Sequence, residues 1–460
     1  MLYLLCGMTA AFLAAAMYLS ENDWTHPSVV FSAVFFVCSL FCVVEKNKFA
    51  ITLEPVTAAV ILAGILVFLI LELAEKKLYL NRKGKSKNIR GRDDALCSVS
   101  DIYVVLLILA QTVSIFFFVK YLGMLSAAYG EVSGQTFDSL GEKIKLFDTM
   151  TKFWPDTYAS LNLKMPMAYR ITNPLCMSAE FLVFYVGVKD FYYHKKINWL
   201  YIVVLFLAAI RVLMNGSRSP LLRIITFVGI LYLIFQTQDK KKIKFGWKLL
   251  LGLAAAGTLL AIGMLILLFA MGRGEDFDLE TYLFTYVGAQ IENLDTFLKA
   301  NPVTLWRGVS ENKLFGADVF RGLYLYLKKW IHLEVSIPSI AVYAFSNNGI
   351  EIGNVYTMFY ALLYDFGYVG CVVFTAVMAG YYVFTYGAII RETPQKNRII
   401  DLKTFLYAYL FNDLLMSFFS NRFYETVFDG TFFKFVLLTI CLDVLIEYDP
   451  VKRLCKNKKL

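Results

Sequence analysis

The chain has 460 residues, of which 58% are hydrophobic and only 18% charged, with 40 Phe and 29 Tyr and a mean hydropathy of +0.58. Soluble domains devote about a quarter of their residues to charge, so a soluble enzyme is excluded and length does not convert into a number of soluble domains. The net charge of +9 is assigned first to cytoplasmic loops, where polytopic proteins collect Lys and Arg, before any nucleic-acid partner is considered.

In chain order, apolar stretches near 2–19, 28–44, 55–73, 99–119, 171–188, 198–214, 219–236, 248–271, 367–390, 400–419 and 430–447 predict about 11 transmembrane helices. The fold class expected is therefore an all-α polytopic membrane protein with one helical bundle. The first stretch lacks a basic leader, and Ser20-Glu21-Asn22-Asp23 is no cleavage site for a signal peptide, so it counts as a helix. The eight cysteines lie mostly in apolar runs without metal-site spacing and read as small core or lipid-facing residues.

Five segments are rich in Lys and Arg: 74–98, 189–197, 237–248, 391–403 and 450–460, which hold 25 of the 45 basic residues. With eleven spans all five fall on one side. The positive-inside rule makes that side cytoplasmic, with the N-terminus outside and the C-terminus inside. The chain then divides into 1–271, with helices 1–8 and an external loop at 120–170; a large external loop at 272–354; and 355–460, with the last three helices and a basic tail. In the large loop, Tyr282–Ala300 and Phe315–Trp330 read as amphipathic helices lying along the outer membrane interface.

On the outer side, positive charge runs against the topological bias. Arg211, Arg218 and Arg223 fall within 13 residues around Gly216-Ser217, and an arginine drawn into hydrocarbon costs about 3 kcal/mol, so such residues face a cavity and need a partner. Guanidinium groups beside helix N-terminal N–H groups suit a diphosphate. The competing reading is that they reach lipid phosphates or pair with deep acids such as Glu180 and Asp413. Arg170, Arg273 and Arg422 stand at further outer helix mouths, a geometry that a ring around an anionic headgroup requires. Candidate bases are His332, the one histidine placed outside, together with Asp365, Glu292 and Glu351. Asp276-Phe277-Asp278 has the spacing of a metal-binding pair but sits in an ordinary acidic loop, so no metal is assigned. No Walker, zinc or nucleotide-binding glycine pattern occurs, and no cofactor is expected.

Two stretches, Arg211 to Leu221 and Asn354-Val-Tyr-Thr-Met-Phe-Tyr-Ala-Leu-Leu-Tyr-Asp-Phe-Gly-Tyr-Val-Gly370, resemble the bacterial oligosaccharide repeat-unit polymerases, the Wzy-type O-antigen and capsular polysaccharide polymerases. Tyr286 to Leu298 resembles the earlier part of that family's large external loop. The residue-level likeness covers about a tenth of the chain, and the span layout most of it.

The resemblance implies a membrane fold like those of the GT-C-like glycosyltransferases that use lipid-linked sugars, and a nucleotide- and metal-independent glycosyltransferase of the bacterial cytoplasmic membrane. Its donor and acceptor would be oligosaccharides linked to undecaprenyl diphosphate, with a chain-length regulator protein as a further partner and no nucleic acid. Arg218 is the first choice to hold the leaving diphosphate, with Arg211, Arg223, Arg273, Arg422 and Arg170 assisting. A flippase of lipid-linked oligosaccharide, or another transferase such as an O-antigen ligase, is the alternative.

Overall fold

A backbone surrounded by lipid satisfies its N–H and C=O groups only within an α-helix or a closed barrel, and the apolar stretches form helices. A computed structural model of the chain describes residues 1–82, 99–239, 278–311, 314–331, 343–391 and 399–448. Helices α1 (Leu2–Leu19), α2 (Pro27–Val44), α3 (Pro55–Arg82), α4 (Asp101–Ser133), α7 (Met167–His194), α9 (Ser219–Gln238) and α13 (Phe359–Arg391) are each long and apolar enough to cross a membrane. Three further expected stretches are helical but short or charged. Helix α8 (Trp199–Leu213) has 15 residues, α14 (Leu402–Leu415) has 14, and α16 (Gly430–Tyr448) carries Lys434, Asp443 and Glu447. The expected span 248–271 and the tail 450–460 lie outside the described residues.

Contacts sort the helix ends into two sets. At one end, the α2–α3 connection meets the long loop, where Lys48 pairs with Asp278 at 3.0 Å and Glu280 at 2.7 Å. At the other, His26 faces Glu72 at 3.5 Å, Asn198 donates to Asp101 at 3.2 Å, and Tyr192 donates to Asp239 at 2.9 Å. Asp239 and Asp278, which flank the undescribed stretch 240–277, belong to opposite sets. The second set also holds Lys76, Lys189, Lys195, Lys196 and Arg391; we call it the basic end and the first the loop-bearing end.

The loop-bearing end departs from expectation in three places. Helix α4 does not stop at 119 but continues to Ser133, where Gly134 closes it in the left-handed conformation. Its 33 residues make about 50 Å, longer than the hydrocarbon layer of about 30 Å. The excess packs Phe118, Tyr121, Leu122 and Leu125 against Ile144, Phe147 and Met150 of α5 (Leu140–Phe153), which the short α6 (Pro155–Ser160) follows, forming a small second core.

Next, Tyr282–Ala300 is not one interfacial helix. It breaks at Gly288 into α10 (Leu279–Val287) and α11 (Ala289–Ala300), and α11 is buried with Gln290, Glu292, Asn293 and Asp295 all inside. Burial is tolerated because the protein supplies partners. Asn293 donates to the Val355 carbonyl at 2.7 Å, and Asp295 accepts from the Glu54 N–H at 2.9 Å and pairs with Lys299 at 2.6 Å.

Finally, a two-stranded hairpin, β1 (Ala344–Phe345) and β2 (Glu351–Gly353), interrupts the all-helical pattern. Its Asn348 donates to the Lys48 carbonyl at 2.6 Å. The second expected loop helix forms as α12 (Arg321–Ile331).

Helix α13 is broken at Gly367, whose φ of 71° and ψ of −167° are open only to glycine. Segment 304–310 fills the break. Val309 and Ser310 donate to the Tyr364 carbonyl at 2.8 and 3.0 Å, while Tyr368 and Val369 donate to the carbonyls of Thr304 and Leu305 at 3.1 and 2.8 Å. A Cβ at Gly367 would stand 2.5 Å from the Thr304 oxygen. Gly367→Ala is therefore expected to lower stability by more than about 2 kcal/mol in detergent thermal unfolding. Gly380→Ala, in the same helix with open space at its Cβ, should be neutral or stabilising by up to ~1 kcal/mol; equal effects at both positions would refute this account of the break.

Candidate functional site

Arg211 lies in the last turn of α8 and is buried. Its Nε donates to Glu180 Oε1 of α7 at 2.9 Å and its Nη2 to Oε2 at 2.5 Å; Gln111 of α4 donates to the same carboxylate at 2.8 Å. Arg223 of α9 forms the equivalent fork on Asp413 of α14, at 3.0 and 2.7 Å, and donates to the Tyr409 carbonyl at 3.1 Å. Breaking such a pair leaves one charge stranded in low dielectric. Both arginines thus pin helices together, the pairing with Glu180 and Asp413 that the sequence offered as the competing reading.

Between these anchors runs the turn 214–218. Gly216 has φ 73°, and a Cβ there would meet Asp148 of α5 at 2.5 Å, so only glycine lets the second core press on the turn. Arg218 follows at the N-cap of α9, half-buried. It donates to the Tyr282 hydroxyl, its guanidinium lies 5.9 Å from that ring's centroid, and it has no ion-pair partner among the described residues.

Tyr282 starts a row of rings on α10. Its centroid is 4.7 Å from that of Tyr286, and Tyr286 stacks on Phe419 at 6.0 Å with 10° between planes. Arg422, the first residue of α15 (Arg422–Val427), lies 5.9 Å from the Phe419 centroid. Its one acid contact among the described residues is Glu425 at 3.6 Å, one turn on. The structure therefore links Arg218 and Arg422 across three aromatic rings, two from α10 and one from the residues just before Arg422.

The stretch beside Arg422 is rich in unmatched donors. Asn412 Nδ2, the hydroxyls of Ser417 and Ser420, both amide atoms of Asn421 and Nε of Arg422 are buried without hydrogen-bond partners among the described residues. Each such group costs about 1–3 kcal/mol when left unmatched. Only Asn421 Oδ1 in this set is purely an acceptor.

The other expected residues are placed differently. Arg170 is exposed and lines a separate groove with Lys434. Arg273 and His332 lie outside the described residues. Asp365 accepts the backbone N–H groups of Asp318 and Val319, both at 2.9 Å, which ties the turn before α12 to α13. Glu351 is exposed on β2. Asp278 caps α10 by accepting the Glu280 N–H at 3.2 Å, and Thr281 and Lys48 hold its carboxyl down at about 2.

Glu292 is 1% exposed. Its Oε1 accepts from Asn347 at 3.2 Å, while Oε2 has no hydrogen-bond partner among the described residues. Burial, then neighbouring Asp295, pushes its carboxyl up to about 7.

Sequence reasoning named both arginines of the site but missed the rings between them and the donors beside Arg422. The local signal was Phe418-Phe419-Ser420-Asn421-Arg422, a polar triplet inside an aromatic run. Comparison with family models, curated proteins and solved structures finds no match to this chain.

Because its folded-state carboxyl is raised above the ordinary value, Glu292 weakens the fold as pH rises from about 4.5 to 7, by ~3 kcal/mol once fully ionised. Glu292→Gln is thus expected to melt above the wild type at pH 8, with the gap closing towards pH 4.5. A gap that does not change with pH would contradict this assignment.

Proposed function

We propose that the chain is an eleven-span glycosyltransferase of the bacterial cytoplasmic membrane that polymerises oligosaccharide repeat units carried on undecaprenyl diphosphate, with the loop-bearing end facing outward. The observation that carries the reading is the pairing pattern. Arg211 and Arg223 are neutralised by buried acids, whereas Arg218 has no carboxylate partner among the described residues and Arg422 meets only the half-exposed Glu425 at 3.6 Å; the two are joined through Tyr282, Tyr286 and Phe419 beside a donor-rich stretch. The orientation rests on the sequence, in which five segments assigned to the cytoplasm hold 25 of the 45 basic residues.

In this reaction a hydroxyl of the acceptor repeat attacks the anomeric carbon of the donor glycan. The bond from that carbon to the diphosphate breaks, and undecaprenyl diphosphate leaves with the bonding electrons. Negative charge grows on the leaving oxygens, and Arg218 and Arg422 would stabilise it from fixed positions, which lowers the barrier more than the ground state. The ring faces of Tyr282 and Tyr286 would pack against sugar faces. The acceptor proton needs a base; Glu292, with its carboxyl near 7, suits that task at neutral pH, and His332 remains its rival. Arg273 would add to the diphosphate site. Asp365 and Glu351 are given no chemical step, because one holds a turn and the other a hairpin surface.

A flippase or a ligase would use the same lipid and is separated by phenotype. Deleting the gene in its producing cell should leave single repeat units displayed and long chains missing. Lipid-linked repeats trapped inside would instead identify a flippase. In a purified assay with lipid-linked substrate, Arg218→Ala should lose about 10²–10³ in rate, the scale for removing a fixed charge-stabilising donor. Arg218→Lys, which keeps charge but not the fork, should fall in between. Normal polymerisation by both variants would remove Arg218 from the mechanism.

A further inference from the structure

A groove of about 360 Å³ at the loop-bearing end lies outside the site described above. It is formed by the start of α7 and its preceding strand of chain, with Lys434 from the first turns of α16. The two helices run parallel in contact. Ser178 donates to the Phe435 carbonyl at 3.3 Å, and the Phe181 and Phe435 rings meet edge to face at 5.7 Å.

Two cations line the groove, Arg170 and Lys434, both exposed and neither with a carboxylate partner among the described residues. Asn173 adds a polar group, but its Oδ1 is taken by Arg211. The remaining lining is largely apolar: Met165, Met167, Ile171 and Pro174. An outward apolar face runs through the groove to Leu175 on α7 and along α16 to Val444. Met167, Ile171 and Leu175 of α7 are 64%, 56% and 36% exposed at four-residue spacing, and Phe433, Leu437 and Val444 of α16 are 56%, 63% and 53% exposed. Spacings of four and seven keep residues on one side of a helix.

Lys434 also lies 5.8 Å from the Tyr326 ring centroid, a contact that leaves its charge without a counter-ion, and two such cations beside hydrocarbon-facing side chains match an amphiphile that is anionic at its head. A soluble anion would gain nothing from the methionines and isoleucine. We infer that this groove is a second lipid site that seats the phosphate head of a long-chain lipid between Arg170 and Lys434, with the chain lying along α7 and α16. The inference does not depend on what the Arg218–Arg422 end does.

The test uses the full-length protein in phosphatidylcholine nanodiscs containing a minor fraction of phosphatidic acid, with retained lipid counted by native mass spectrometry. The wild type should retain phosphatidic acid in preference to phosphatidylcholine. Arg170→Gln combined with Lys434→Gln should weaken retention by about thirtyfold, the change that ~2 kcal/mol represents for two cations at a lipid surface. Arg170→Lys should retain the lipid, since the charge is kept. Should the double variant not fold, Lys434→Glu alone, which reverses one charge at an exposed position, should abolish the preference. Inorganic phosphate at millimolar concentration should not displace the lipid. Equal retention by wild type and the charge variants, or displacement by inorganic phosphate, would overturn the inference.

Discussion

Charge inside a lipid-surrounded bundle has to be matched, and that constraint organises this structure. Glu180 and Asp413 are completely buried, and an isolated carboxylate there would carry a desolvation penalty of several kcal/mol. Each is matched by a forked arginine from another helix. The two forks tie α7 to α8 and α9 to α14, and so fix the ends of the helices from which the turn at Gly216 springs. With those two arginines committed to the scaffold, the positions of other cations at the loop-bearing end become informative.

Four of those cations fall into two places. Arg218 and Arg422 share an aromatic row with buried donors beside it, while Arg170 and Lys434 share an amphipathic groove. The proposed reaction joins two lipid-linked molecules and so has two lipid phosphates to hold at once. Two separate cationic seats at the same end of the bundle are compatible with that demand, although each seat rests on its own observations. The broken helix α13 contributes the scaffold: its Gly367 break lets the loop 304–310 bond directly to the helix backbone, fixing the long loop over the bundle without burying unmatched peptide groups.

Much of this was legible in the sequence. Ten of the eleven expected stretches are helical, because apolar length alone decides helix formation in lipid. Glu180 and Asp413 were identifiable as acids needing partners. That the arginines pair with them was one of two readings, and which arginine takes which acid was not legible, since Asp413 lies 190 positions from Arg223 and only the packing of α9 on α14 selects the pair. The same reason hid the aromatic row, which joins α10 to the α14–α15 connection. Burial of α11 was misread as an interfacial helix because its polar residues find their partners in distant segments, Glu54, Asn347 and Val355, and a hydrophobicity pattern cannot register partners that the fold supplies.

The central claim is that Arg218 and Arg422, and not the arginines forked onto buried acids, hold the lipid diphosphate. It is tested most directly by an electron cryomicroscopy map of the protein with undecaprenyl diphosphate bound. The account predicts phosphate oxygens within hydrogen-bonding distance of both Arg218 and Arg422, with the Arg211–Glu180 and Arg223–Asp413 forks intact. Phosphate density that opens either fork, or that lies away from Arg218 and Arg422, would contradict it.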